Sequence, residues 1–308
     1  MSSHTFPLVV VRTVTRSASL ATLLQLIRER LGGFRRGVWP RSLAYATLRR
    51  RADEGTFKGL ILQRLASDRR GLLEIMVDKW AVRDFVQARS GKVDLPHIYQ
   101  VVNSADELDP RLWPTECVVK PSHGSGAVVL ISESKQPGFR YAWPDSPFRW
   151  DDGGLGMLNS SVNLDKLKRL GSQWLASNYE HWRPKYPEWA YRRTPPRILV
   201  EELIRGSDGQ PPMEAKFHCF HGRVRLGRII HKFDYSQGSF NLSRNGSVLD
   251  LRMGCDAQVP SSQFSRPPLW AEAVTIAEEL SSDIDYVRVD LYLTNDRVVF
   301  SELTPYPN

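Results

Sequence analysis

Two short runs near the end of the chain decide how it reads: Tyr286-Val287-Arg288-Val289-Asp290-Leu291-Tyr292-Leu293, and then Val298-Val299-Phe300-Ser301-Glu302-Leu303-Thr304. Side chains alternate between the faces of a strand. The first run therefore sets Arg288, Asp290 and Tyr292 on one face and Val287, Val289, Leu291 and Leu293 on the other. The return run sets Phe300, Glu302 and Thr304 together, with Val299, Ser301 and Leu303 opposite. A three-residue loop, Asn295 to Arg297, brings Asp290 across from Glu302 and Arg288 across from Thr304. A two-residue loop would send the carboxylates to opposite faces. The three-residue register leaves the reverse face almost wholly apolar, and so the hydrophobic pattern favours it. Two carboxylates about 5 Å apart repel unless a cation sits between them or one keeps a proton. Oxygen ligands of this kind suit Mg²⁺ shared with substrate phosphates. Arg288 is placed to neutralise charge on a phosphoryl group. A surface ion pair between Arg288 and one acid is the plainer reading of the same residues.

Upstream, Val118-Val119-Lys120-Pro121-Ser122-His123-Gly124-Ser125-Gly126-Ala127-Val128-Val129 reads as a strand ending in lysine, a glycine-bearing loop and a returning strand. Glycines let backbone amides approach a phosphate, and the lysine adds a fixed charge. No Gly-Lys-Ser/Thr opens a helix, so this is a flap between antiparallel strands and not a Walker loop; a plain hairpin fits equally well. Ile198 to Ile204 is an apolar strand carrying Glu201 and Glu202. Met213 to Phe220 and Arg223 to Lys232 flank a His221-Gly222 turn, with Glu214, Lys216 and His218 on one face. His218 and Cys219 point to opposite faces, and no Cys-x-x-Cys supports a zinc site.

Helical spacing marks Leu20 to Arg30, Leu43 to Arg51, Lys58 to Ser67, Met76 to Ala88 with a left-handed cap at Gly91, Asn163 to Asn178 and Trp270 to Leu280. Strands are expected at His97 to Val102, Cys117 to Lys120 and Ala127 to Ile131. Residues 134–160, rich in Pro, Gly, Trp and Asp, read as a long surface loop or a substrate-covering segment. Trp143, Trp150, Trp174, Trp182 and Trp189 suggest packing or a sugar-stacking surface. Helices followed by a sheet-rich body give an α+β class.

Hydrophobic residues at 41% and charged residues at 25% match a soluble enzyme, and no apolar run is long enough to span a membrane. Three scattered cysteines and no leader-like N-terminus point to the cytoplasm. The net charge of +8 is concentrated in residues 1–79, which hold 15 Lys and Arg against 6 Asp and Glu. Such a surface is either solvated or a docking face for a polyanion or membrane. No nucleic-acid module accompanies it, so no nucleic-acid partner is expected.

Taken in order, Asp78-Lys79-Trp80-Ala81-Val82-Arg83, the 119–126 segment, Ile198 to Leu203, Lys216 to Gly222, Arg288-Val289-Asp290-Leu291-Tyr292 and Glu302-Leu303-Thr304 resemble the TupA-like branch of the ATP-grasp superfamily, named for a protein of teichuronopeptide synthesis. The resemblance covers about residues 60–306. It implies a basic helical region over 1–75 and an ATP-grasp region over 76–308, the latter with a flap subdomain at about 115–200 and a metal-binding subdomain at about 201–308. Its cofactors would be ATP and Mg²⁺. Lys79 and Lys120 would reach the phosphates, and His123, Gly124, Ser125 and Gly126 would close over them. Glu201, Glu202 and Leu203 would read the adenine through backbone groups. Lys216 would approach the ribose or phosphates, with Lys216 and Arg288 acting in catalysis. Asp290, Glu302 and Thr304 would hold the metal, although such sites often carry asparagine where this chain has Thr304. The implied reaction joins an acid, small or glycan-linked, to an amine through an acyl phosphate, in cell-surface polysaccharide or secondary-metabolite synthesis. A phosphotransferase on the same fold and a non-catalytic nucleotide-binding scaffold are the alternatives.

Overall fold

The computed structural model describes residues 55–136, 138–141, 143, 148–150, 154–182, 186–206, 209, 212–231, 239–251 and 264–307. The helices expected at Leu20 to Arg30 and Leu43 to Arg51, and the basic surface they would carry, lie outside these residues. The described chain builds two five-stranded sheets. The first has the order β1-β5-β2-β3-β4, from β1 (Ile98–Val102), β2 (Cys117–Pro121), β3 (Val128–Ser132), β4 (Gly154–Leu158) and β5 (Ile198–Glu202). The second has the order β10-β9-β6-β7-β8, from β6 (Met213–Phe220), β7 (Arg223–His231), β8 (Ser239–Leu242), β9 (Tyr286–Leu293) and β10 (Val298–Thr304).

Each sheet buries one face under helix. In the first, Cys117, Val119, Val129, Ile131, Ile198 and Val200 pack with Leu167, Leu170 and Trp174. Those three share one face of α4 (Leu164–Ala176), which the short α5 (Tyr179–Trp182) follows and whose first turn is capped by the Asn163 side chain accepting from Lys166 N at 2.9 Å. In the second, Ala215, Phe217, Cys219, Val287, Val289 and Leu291 pack with Trp270, Ala273, Ile276, Ala277 and Leu280 of α6 (Trp270–Leu280). The same core takes in α1 (Phe57–Ser67) and α2 (Gly71–Val77) through Ile61, Leu65, Leu73 and Met76. Residues 57–75, assigned from the sequence to a separate N-terminal region, thus belong to the second sheet's body, because their apolar faces are buried there.

Three differences from the sequence reading have clear causes. The helix expected from Met76 to Ala88 is two, α2 and α3 (Val82–Arg89). The buried Asp78 carboxylate accepts from Trp80 N at 2.9 Å, and the Asp78 carbonyl restarts the helix by accepting from Val82 N. The break frees Lys79 N to donate to Ser122 O of the flap at 2.9 Å. Gly91 is not in the left-handed region; α3 ends instead on an extended Ser90.

The region 134–160 contains β4, which pairs parallel with β3. Its sequence, Gly-Leu-Gly-Met-Leu, hides a strand because glycine weakens strand patterning. Here the glycines are needed: a Cβ on Gly154 would stand 2.8 Å from the Phe139 ring, and one on Gly156 would collide with the ring of Tyr141. β8 was likewise not anticipated. The His221-Gly222 turn is as read, with both residues at positive φ (49° and 71°) as a two-residue type I′ hairpin requires. Of the tryptophans offered for sugar stacking, Trp150, Trp174 and Trp189 are buried and serve as packing. The side chain of Trp182 lies outside the described set.

Gly227 faces α6, and a Cβ there would lie 2.9 Å from Trp270 Cζ2. Gly227→Ala is expected to destabilise the protein by about 1–3 kcal/mol through overpacking, read as a lower midpoint in thermal or denaturant unfolding.

Candidate active site

The open faces of the two sheets meet at a cleft of about 270 Å³, with Val118, Lys120 and Glu201 on one wall and Glu214, Lys216 and Glu302 on the other. On the second sheet, Lys216 pairs with Asp290 across β6 and β9, His218 pairs with Arg288, and Asp290 pairs with Glu302 across β9 and β10. The carboxylates therefore face each other and Arg288 faces Thr304, as expected, but by another route. Leu293 pairs with Val298 around a four-residue turn, a register that by itself would set Asp290 against Ser301. A β-bulge between Phe300 and Glu302 then absorbs one residue and delivers Glu302. The bulge also corrects the face assignments. Phe300 joins Leu303 in the core, and Ser301, expected on the apolar face, lines the cleft with Glu302. The turn is held by Thr294, whose hydroxyl accepts from Arg297 N at 3.1 Å.

Asp290 is completely buried, and burial raises its carboxyl to about 6 against the opposing pull of Arg288 and Lys216. Arg288 binds it in a fork, Nε to Oδ1 and Nη2 to Oδ2 at 2.7 Å each, and also donates to Glu302 Oε1 at 3.2 Å and Thr304 Oγ1 at 3.1 Å. The ion pair weighed for Arg288 is therefore present, but it is a buried one within a network. The Thr304 hydroxyl donates to Glu302 at 3.1 Å. Lys216 Nζ lies 3.5 Å from Asp290 and 3.4 Å from Glu214. Burial works against its charge, but Asp290 and Glu214 hold its pKa above the ordinary range. Among the described residues no group of three or more His, Cys, Asp and Glu could hold a metal. The facing Asp290–Glu302 pair, all oxygen, fits Mg²⁺ shared with phosphates and does not fit zinc.

The first sheet and the 78–81 break contribute the other cations. Lys120 makes an ion pair with Glu201. Lys79 Nζ donates to Gly124 O of the flap loop. Burial, with Lys120 nearby, pushes the Lys79 ammonium down, while Glu302 and Glu201 oppose that shift. Gly124 and Gly126 have φ of 94° and 85°, and a Cβ on them would meet Trp150, 2.6 Å from its Cη2 and 2.7 Å from its carbonyl respectively. Glycine is required twice over, by conformation and by the tryptophan folded against the loop. His123 turns inward: its Nε2 bridges Trp174 O and Ser177 O at 3.0 and 3.2 Å, and the ring packs edge-on to Trp150. It anchors the flap to α4, away from the cleft lining, while Ser125 and Gly126 line the cleft. Glu202 N donates to His97 O at 2.8 Å, and the Glu202 carboxylate is held by Arg297 at 2.7 Å and His97 N at 3.0 Å. Glu201, Glu202 and Leu203 all line the cleft.

Arg83 is a further cation near the cleft, to which the family resemblance assigns no role. It stands one helical turn after Lys79, donates to Pro96 O at 2.8 Å and lies in the field of Glu201. The i, i+4 spacing from Lys79 was the available signal.

Two sheets gripping a cleft, with the flap glycines and Lys120 on one and a carboxylate pair on the other, define the ATP-grasp class of fold. Within that class the chain belongs to the TupA-like ATPgrasp family, whose model matches residues 149–308, just over half of the chain. Among solved structures, the D-alanine–D-alanine ligase from Bacillus anthracis complexed with ATP is similar at 12% identity and TM-score 0.39, over 77% of this chain and 56% of that one. An ADP complex of purK, N5-carboxyaminoimidazole ribonucleotide synthetase, matches at 11% and 0.41 over 77% and 47%. The ATP-grasp ligase PsnB with a phosphomimetic variant of its minimal precursor, Mg and ADP matches at 13% and 0.39 over 94% and 62%. The chain thus spans roughly half to three-fifths of those structures. No curated protein matches it.

Asp290→Asn and Glu302→Gln are each expected to lower turnover by on the order of a hundredfold or more, with an unchanged far-UV circular dichroism spectrum. Steady-state ADP release checks this, and wild-type rates in either variant would remove the pair from the site. His218, beside this network, is held by a 2.9 Å contact between Nδ1 and Tyr286 Oη, and burial, aided by Arg288, depresses it from 6.5 to about 4. A depressed native pKa means that the unfolded chain takes up the proton first. The contribution is then complete above about 6.5 and is lost as pH falls toward 4, amounting to about 3 kcal/mol. In denaturant titrations between those pH values, His218→Gln should flatten this slope.

Proposed function

We propose that this protein is an ATP-dependent carboxylate–amine ligase that forms an amide through an acyl phosphate. The observation that supports it best is the convergence on one cleft of Lys79, Lys120, Lys216 and Glu302, with Arg288 and Asp290 tied to Lys216 and Glu302 directly behind it. A site of this composition works by positioning reactants and neutralising charge. In this reading the nucleotide lies in the cleft against Glu201, Glu202 and Leu203. Lys79, Lys120 and Lys216 bind its phosphates, and the Ser125–Gly126 amides approach the terminal one. Lys79 exchanges its bond to Gly124 O for the phosphate. Arg288, oriented by Asp290 and Thr304, meets the transferring phosphoryl group. Asp290 and Glu302 would hold Mg²⁺, with Thr304 beside them, and the ion supplies further neutralisation of phosphate charge when bound.

The acid's carboxylate attacks the γ-phosphorus and releases ADP. The amine then attacks the acyl carbon, inorganic phosphate departs and one proton is lost. A role in cytoplasmic synthesis of a cell-surface polysaccharide or a secondary metabolite belongs to the same proposal.

Nucleotide product analysis with Mg-ATP and paired acids and amines tests it. ADP and free phosphate formed only when both partners are present are the expected result. ADP with phosphate retained on the acceptor would replace the ligase reading with a phosphotransferase. Lys120→Ala is expected to weaken ATP binding tenfold or more, equivalent to about 1.4 kcal/mol; unchanged affinity by calorimetry would take Lys120 out of the site.

A further inference from the structure

In the pose proposed above the nucleotide touches both sheets, so the cleft must hold its two walls at one angle. The structure sets that angle where Asp94-Leu95-Pro96-His97 passes from the second sheet to the first. Asp94 forms a parallel bridge opposite Val299: its N–H donates to Val298 O at 3.0 Å and its carbonyl accepts from Phe300 N at 2.8 Å. His97 is tied to the end of β5 in the same manner. Its carbonyl accepts from Glu202 N at 2.8 Å, and its N–H donates to Glu202 Oε2 at 3.0 Å. Between these anchors the chain has little freedom. Pro96 fixes its own φ and restricts Leu95 toward an extended backbone. Leu95 packs against the second sheet's core, and Pro96 O accepts from Arg83 Nη2 at 2.8 Å. Three residues of chain reach at most about 11 Å, so the two strands cannot draw apart here. They can still rotate about the segment.

Arg297 opposes that rotation. It ends the turn before β10, and its Nη2 donates to Glu202 Oε1 at 2.7 Å while Nη1 stands 3.6 Å from Asp94 Oδ2. Glu202 therefore has one oxygen on Arg297 and the other on His97 N. A charge-assisted bond of that length is directional. The Thr294 hydroxyl, accepting from Arg297 N, fixes the backbone from which the guanidinium reaches. One side chain thus braces both ends of the 94–97 segment. It links the strand that carries Glu302 to the strand end, Glu202 and Leu203, that lines the cleft. Neither Arg297 nor Asp94 lines the cleft.

We infer that Arg297 is a positioning residue for the nucleotide. Acting through Glu202 and without touching the ligand, it sets the base-reading end of β5 against the β10 strand. The inference rests on the proposed nucleotide pose and deepens it, by placing a determinant of nucleotide affinity outside the cleft.

A double-mutant cycle on the full chain, read by calorimetric titration with Mg-ADP, tests it. Arg297→Gln and Glu202→Gln should each weaken ADP by about three- to tenfold. The double variant should bind no more weakly than the weaker single one, because both changes remove the same contact. Arg297→Lys keeps the charge but cannot reach both acids, and should recover part of the loss. The pair is partly exposed, 37% and 25% for the two side chains, and adds little to stability. The unfolding midpoint of nucleotide-free Arg297→Gln should therefore stay close to that of the wild type. An ADP Kd within twofold of wild type in Arg297→Gln, or losses that add in the double variant, would overturn the inference and leave the nucleotide reading intact. A loss of affinity matched by a large drop in the unfolding midpoint would also overturn it, by assigning Arg297 to folding. No ADP binding by the wild-type chain would overturn both readings.

Discussion

Asp290 has no exposure to solvent, and its carboxylate is tolerated only because Arg288 grips it from two residues away and Lys216 approaches it from the neighbouring strand. Breaking such a buried pair costs about 3–5 kcal/mol, because the remaining charge is left without solvent or partner. Several features of the second sheet follow from this requirement. β9 must be central so that β6 can supply Lys216 on one side and β10 can supply Glu302 and Thr304 on the other. The opposite faces of those strands must be apolar to seat α6, which fixes their alternation. The bulge at Ser301 reconciles the two demands: it lets Phe300 and Leu303 both enter the core while Glu302 and Thr304 face Arg288.

The first sheet carries a lighter charge load and a larger conformational one. Its functional loop has two glycines at positive φ packed under Trp150, with His123 tied to the end of α4. The loop is thus held by aromatic packing and not by ion pairs, while Lys79 spans from the second body to the flap through both its backbone and its side chain. That lysine occupies the flap carbonyl with the group that would otherwise meet phosphate. On the proposed nucleotide pose, nucleotide binding and flap geometry would be coupled through this one side chain.

The strand alternations of 286–293 and 298–304, the flap with its lysine and glycines, and the helix at 270–280 were legible because each repeats a local rule over several residues. The α+β class and the opposition of Asp290 to Glu302 followed from them. The four-residue turn with a compensating bulge was not legible. A three-residue loop without a bulge yields the same pairing at the site, and only the burial of Phe300 distinguishes the two. β4 was missed because Gly154 and Gly156 answer to Phe139 and Tyr141, contacts made across the fold and not along the strand.

The sequence by itself determined the kinds of chemistry available to this protein: cations on a glycine flap, an Arg-x-Asp strand facing a Glu-x-Thr strand, and no paired thiol or histidine set for another metal. Periodicity and residue type are local properties, and a local reading captures them. Tertiary structure alone decided which of these groups meet. It interrupted a helix at Asp78 to bring Lys79 under the flap, turned His123 inward against α4, and gathered Glu188, Tyr191 and Tyr306 around a cavity beside Glu302. Lys79 and Gly124 lie 45 residues apart along the chain and His123 and Trp174 lie 51 apart; such groups are joined only by how the two sheets bury their apolar faces, which no period in the sequence encodes.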